Sequence, residues 1–240
     1  AALHMSLEGV GVGYGDEVIV PALSVIMNTT SVLHNNAIPV YADVDKDSFT
    51  IDPEDVKKKI TSNTKAIVSV SLYGYPSKVE ELRKVSKNIP IIEDNAEHLG
   101  ILRSNVATYS LEGTKHFSAG EMGVVLTNDE NVALKSRLLA NHGFVTTKPD
   151  SGKTKSNINM FQNPDFARHI SVGWNYRTTE FAAAIALAQL EKKEEVLIRR
   201  RKFAWILYDV FEGRKKFICQ QYHPEHTFWT FSVRCLEDKD

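Results

Sequence analysis

The chain has 240 residues, 42% of them hydrophobic and 25% charged, with a formal net charge of −1. That is enough apolar content for a sizeable core in one large domain or one and a half, and the near-neutral balance removes any global electrostatic case for nucleic acid or membrane binding. The two cysteines, Cys219 and Cys235, are too few for a disulfide framework and lack the spacing of a metal site; a reducing cytoplasm is the default setting, and a single disulfide between them stays open. No apolar run approaches the roughly 20 residues a membrane-spanning helix needs. The opening AALHMSLEGVGVG has no basic leader ahead of an apolar stretch, so it does not read as a signal peptide. It starts as if in mid-helix, and FWTFSVRCLEDKD stops just after a strand-like run, so the expectation is a fragment cut at both ends.

Residues 1 to 8 read as the tail of a helix ended by Gly9. DEVIVP, Asp16 to Pro21, is a short strand, Ser24 to Asn36 is helix-like, and PVYADV, Pro39 to Val44, is the next strand. DPEDVKKKI opens with an Asp52 cap and a proline at the first helical position. KAIVSVSLYG, Lys65 to Gly74, is a near-continuous apolar run, as suits a strand buried on both faces. SKVEELRKVSK predicts a helix with Ser77 and Glu80 as a capping box. PIIEDNAEHLG, Pro90 to Gly100, is another buried strand ending in carboxylates. This alternation is the signature of an α/β domain with a largely parallel sheet. A hairpin-like pair follows, TYSLEG and GVVLTND, then a helix from Glu130 to Asn141. Residues 146 to 165 are polar and aperiodic, a long loop or lid. Thr178 to Phe211 reads as one long helix capped by Thr178.

Four stretches invite a chemical reading. GVGVGYG, Gly9 to Gly15, has the glycines of a dinucleotide loop, but a helix precedes it and a strand follows, the reverse of the required order; a helix end and turn is the plainer reading. Asp94, flanked by Glu93 and Glu97, stands at the carboxyl end of a buried strand, where open α/β sheets place ligands. Such carboxylates could hold a metal, act as acid and base, or pair with a pyridinium nitrogen; the plainer alternative is a capping aspartate. In SLEGTKHFSAGEMG, Lys115 follows Gly113 and Thr114, with Ser110 upstream. A lysine held this way suits attack on a carbonyl, and Ser110 and Thr114 could offer hydroxyls to a phosphate, although a lone lysine is ordinarily a solvated surface residue. VGWNYRTTE places Asn175 and Arg177 on a loop before the long helix. Each signal is weak alone. Their order, a strand-end carboxylate, then Ser110 and Lys115, then an Asn-Tyr-Arg loop, matches what pyridoxal 5'-phosphate (PLP) requires: an anion for its ring nitrogen, an amine for its aldehyde and donors for its phosphate. No metal site is assigned.

With these motifs in place, the chain resembles the sugar-nucleotide aminotransferases of the DegT/DnrJ/EryC1/StrS family. The likeness runs through GDEVIVPALS, PVYADVD, IDPEDV, TKAIVSVSLYG, IIEDNAEHLG, GTKHFSAGEMGVVLTND, NHG, GWNYR and AAIALAQLEK. The resemblance implies an α/β, PLP-dependent transferase of fold type I, aspartate-aminotransferase-like. Residues 1–177 would be the PLP-binding large domain, incomplete at its N-terminus, and 178–240 the linking helix and the start of a truncated small domain. It further implies that Lys115 forms the internal aldimine and carries the proton, that Asp94 pairs with the pyridinium nitrogen, and that Glu97 lies near the cofactor's phenolic oxygen. Ser110 would bind the phosphate, and Asn175 the phosphate of a neighbouring subunit, which makes a homodimer with shared active sites. An amino acid, glutamate by expectation, would donate the amine to a nucleotide-linked keto-sugar. A related branch of sugar dehydratases has histidine at the lysine position, so Lys115 favours transamination. This sequence departs from the family pattern in lacking the Gly-Thr or Gly-Ser that precedes the segment matching AALHMSL, in a short ILRSNVATY link, and in Val25 where an aromatic residue is usual. The first departure keeps a non-catalytic family member as a rival beside the dehydratase.

Overall fold

The computed structural model describes residues 1–145 and 162–236. Helix α1 (Ala2–Gly9) leads to strand β1 (Glu17–Pro21), α2 (Met27–His34), β2 (Ile38–Ala42), α3 (Pro53–Lys59) and β3 (Thr64–Val70). A short 3-10 turn (Leu72–Gly74) precedes α4 (Val79–Val85), β4 (Ile91–Asp94), β5 (Val106–Ser110), β6 (Gly123–Thr127) and α5 (Glu130–Ala140). Helices α6 (Glu180–Leu190) and α7 (Lys193–Phe211) and the strands β7 (Phe217–Cys219) and β8 (Val233–Cys235) complete the order.

The main sheet runs β2-β1-β3-β4-β5-β6, parallel except for the edge strand β6. Its side chains alternate between two cores, as the two-residue period of a strand demands. Val18, Val20, Ala66, Val68 and Ile92 join Leu7, Val32 and Val132 on one face; Ile19, Ile67 and Ile91 join Val56 and Leu82 on the other. Helices therefore cover both faces, and the carboxyl ends of β3, β4 and β5 form one open rim.

Several predicted boundaries move. Asp52 caps α3 as expected, accepting from the Glu54 amide. The capping box at Ser77 does not form: α4 starts at Val79, because the Ser77 amide is held by Ser71 Oγ, itself bonded to Asn95. The Ser77 hydroxyl, which would have capped the helix, is instead buried without a partner among the described residues. The Gly9–Gly15 stretch is a helix end and turn, with Gly11 and Gly15 at φ +87° and +79°. The long helix is two, broken where the apolar run gives way to the charged EKKEE and Lys192 leaves helical geometry (φ −93°, ψ 8°); Thr179, not Thr178, caps α6. The stretch read as a lid falls largely outside the described residues. Cys219 and Cys235 are free thiols on the paired strands β7 and β8. Among the described residues no helix is long and apolar enough to cross a membrane.

After α7 the chain returns to the sheet. Gln220 Nε2 donates to the Ser48 carbonyl at 2.6 Å, and the Thr227 amide to the Gly74 carbonyl at 2.9 Å. The segment from Gln220 to Thr230 thereby lies against the end of β3.

Candidate active site at the carboxyl edge of the sheet

Strand β4 ends in Asp94, and parallel pairing sets it opposite Thr108 of β5. The same strand carries Ser110 two residues on, hence on the same face. These side chains, with Lys115, the first turn of α1 and Tyr176, line a cavity of about 670 Å³.

Asp94 is 2% exposed. Its Oδ1 accepts from the Ala96 amide at 3.0 Å. Burial pushes this carboxyl above the ordinary aspartate range, while the Ala96 amide, the Asn28 side chain and the charge of Lys115 pull the other way. A buried acid in this condition gains from a cationic group placed against it.

Lys115 sits in the turn after β5, its amide donating to the Glu112 carbonyl at 3.0 Å. Its side chain is 14% exposed, and Nζ lies 3.6 Å from Glu97 Oε1. Nζ also stands 4.4 Å from the centroid of the Trp229 ring. Glu97 is buried and its second oxygen accepts from the Tyr73 amide at 2.8 Å. Burial raises this carboxyl, opposed by the Tyr73 amide and by Lys115, while nearby Asp94 raises it further. Lys115 and Asp94 thus share one cavity and feel each other's charge.

The remaining expected residues divide. Ser110 lines the cavity, its Oγ accepting from the Glu112 amide at 3.3 Å. Thr114 turns away, its hydroxyl donating to Glu112 Oε2 at 2.6 Å. Asn175 is exposed, in an isolated backbone bridge with Asn141, outside this cavity's wall. His116 is buried and donates through Nε2 to the Thr227 carbonyl at 3.0 Å; burial pushes it down to about 4 against that bond.

Sequence reasoning missed two groups. His4 in the first turn of α1 bonds the Tyr176 hydroxyl at 3.1 Å and stacks on His34. Trp229 covers Lys115 from 114 positions down the chain (229 − 115), a separation that no local pattern reports. Among the described residues no group of three or more His, Cys, Asp or Glu could hold a metal ion.

A parallel sheet wrapped by helices, with an acid and a lysine facing one cavity at its carboxyl rim, is the architecture of the fold type I PLP-dependent transferases. Solved structures agree. DesV of S. venezuelae, in complex with a ketimine intermediate, superposes with a TM-score of 0.84 at 29% identity, over 98% of this chain and 62% of its own. E. coli GDP-4-keto-6-deoxy-D-mannose-3-dehydratase with bound hydrated PLP gives 0.87 at 26%, over 99% and 65%. The family model of the DegT/DnrJ/EryC1/StrS aminotransferases matches residues 1–240, and the chain belongs to that family. Curated relatives include the GDP-perosamine synthases of Caulobacter vibrioides, 36% identical over 98% of this chain, and of Escherichia coli O157:H7, 30% identical over 100%. The chain spans 62% and 64% of the length of those two relatives, respectively.

Proposed function

We propose that this chain is the greater part of a PLP-dependent aminotransferase that moves an amino group, from glutamate as donor, to the keto group of a nucleotide-linked deoxysugar. The observation that carries the reading is the placing of Lys115 and a wholly buried Asp94 on one cavity at the sheet's carboxyl rim. The similarity to GDP-perosamine synthases supports a GDP-linked sugar as the acceptor.

The residues present fit PLP. The buried Asp94 carboxyl, raised by desolvation, suits a cationic ring nitrogen. The first turn of α1 lies on the cavity wall with Ser110, and free amides at a helix start, together with a hydroxyl, suit a phosphate. Bound there, the cofactor would supply an electrophilic aldehyde and an electron-withdrawing ring.

The protein's own part follows from position. Lys115 is the amine within the cavity, and it carries the proton to and from the substrate carbon. Asp94 keeps the ring nitrogen charged. Glu97 holds the Lys115 ammonium when the amine is free. The deep setting excludes water from the acid.

A second copy of the chain completes the assembly in this reading. Helix α6 has no buried residue although it reads EFAAAIALAQL, and Phe181 is 85% exposed. A contiguous apolar face of this kind supports an interface, and exposed Asn175 lies on the loop just before it. The free thiols of Cys219 and Cys235 suit a reducing cytoplasm.

The sugar dehydratase shares this fold and is the second reading; the lysine at position 115 favours transfer. Adding PLP to the chain should give a near-visible absorption band that changes on addition of glutamate. In Lys115→Ala the band should vanish and amine transfer fall by roughly 10⁴-fold. A band indifferent to every amino donor would favour the dehydratase, and no uptake of PLP would make this a non-catalytic family member.

A further inference from the structure

Both chain neighbours of Lys115 are tied to one distant segment. The indole Nε1 of Trp229 donates to the Thr114 carbonyl at 3.0 Å, and His116 Nε2 donates to the Thr227 carbonyl at 3.0 Å. Between these anchors the Trp229 ring lies over the lysine amine, centroid to Nζ 4.4 Å. The segment is itself fixed at several points. Arg200 donates to the carbonyls of Phe228 and Trp229 at 3.0 and 3.1 Å, and Arg201 to that of His226 at 3.3 Å. The Thr227 amide is bonded to the Gly74 carbonyl, and His226 stacks on Phe228 with centroids 3.7 Å apart.

A catalytic lysine on a turn needs its backbone held and its long stem kept from solvent. Apart from the ion pair of its lysine head group with Glu97, the turn at Glu112–Lys115 has, among the described residues, only local bonds of its own, from the Thr114 side chain and amide to Glu112 and from the Lys115 amide to the Glu112 carbonyl. What fixes its backbone against the body of the protein is the bond that Trp229 donates to Thr114 and the bond that His116 donates to Thr227. The indole face then attracts the ammonium, as a ring quadrupole does a cation, in addition to its ion pair with Glu97.

We propose that Trp229 is a positioning residue for Lys115, holding the lysine turn through its indole N–H and the lysine ammonium through its ring face, so that helix α7 and the segment it anchors set the position of the reactive nitrogen. This rests on the reading of Lys115 as the residue that takes PLP.

The test is capture of PLP by Lys115 at sub-saturating cofactor, trapped with borohydride and counted by peptide mass spectrometry. Trapping at the exposed Lys57 serves as the internal reference. Trp229→Leu, which loses both contacts, should lower Lys115 trapping by about tenfold, and Trp229→Phe, which keeps a ring face, should recover part of that loss. Hydrogen exchange should quicken in the peptide over residues 112–118 while the strands β3 and β4 stay protected. Were the indole only a structural filler, exchange would rise across the sheet and the Phe variant would not differ from Leu. If the ring acted only by stabilising the ammonium, its removal would raise trapping. Either result overturns the proposal, as does unchanged trapping in both variants. Failure of the wild-type chain to take PLP at Lys115 would instead overturn the reading beneath it.

Discussion

Strand β4, half of it carboxylates, and helix α6, largely small and apolar, are treated by the folded chain in the reverse of what their compositions suggest. All of Ile91, Ile92, Glu93 and Asp94 are buried, the acids included, each accepting backbone amides. In α6 nothing is buried, and Phe181, Ile185, Leu187 and Leu190 are all half exposed or more. The strand is enclosed by elements of its own chain, helices above and below and strands on either side. The helix has only neighbours that leave its face bare. The contrast teaches that burial at the site comes from sheet topology and is independent of what later covers α6, whereas any sharing of the site with a second copy depends on that cover.

The largest expected effect tests the buried end. Asp94→Asn keeps the shape and removes the charge, so transfer from glutamate, followed by mass spectrometry, should slow by about 10³-fold, or roughly 4 kcal/mol in the barrier. The thermal midpoint should hold or rise, because burying a carboxylate is costly. A wild-type rate in this variant would break the assignment of Asp94.

Next comes acid. His98, His116 and His226 pack between the sheet and the returning segment, and burial pushes them down to about 3, 4 and 3. Each therefore binds its proton later in the folded chain than in the unfolded one, at about 6.5. Their contribution is complete above that value and is lost as the pH falls through it toward 4 and 3. At pH 5.5 the loss should be about 1 kcal/mol for each and a few in all, read as a lower urea midpoint than at pH 7.5. A flat profile would mean that the returning segment is not docked.

Gly74→Ala probes the same joint from the backbone. Gly74 has φ +98°, and a Cβ there would come within 2.8 Å of the amide nitrogens of Phe228 and Trp229. The substitution should cost roughly 2–3 kcal/mol and quicken exchange at residues 226–230, which urea titration and hydrogen exchange would register.

The smallest effect on the chain's own fold belongs to the bare helix. Phe181→Glu should change unfolding free energy by no more than about 0.5 kcal/mol, yet shift sedimentation from dimer to monomer. A wild-type chain that stays monomeric at every concentration would remove α6 as an interface.

Much of this was legible locally. Alternation of apolar runs with amphipathic ones gave the parallel sheet, and the position of Asp94 at a strand's end gave the rim. Asp52 announced its cap because a cap needs only its own next residues; the structure adds Asp129, which caps α5 in the same way. Ser77 misled because Ser71, six residues upstream and itself bonded to the distant Asn95, holds its amide. The two-helix break at Lys192 had a charge signal, EKKEE, that helix propensity alone outweighs.

Sequence by itself determined the alternating fold, the acid at the end of one strand and the lysine on the turn after the next, because these depend on period, propensity and order along the chain. Tertiary structure alone decided that Glu97 turns to the lysine and that Thr114 turns from the cavity. It alone brought Trp229 and Thr227 to the two neighbours of Lys115. Those contacts join residues more than a hundred positions apart (Thr114 with Trp229, Thr227 with His116), and closing so long a loop leaves no periodic trace; only the packed sheet, by fixing where each end lies, brings them together.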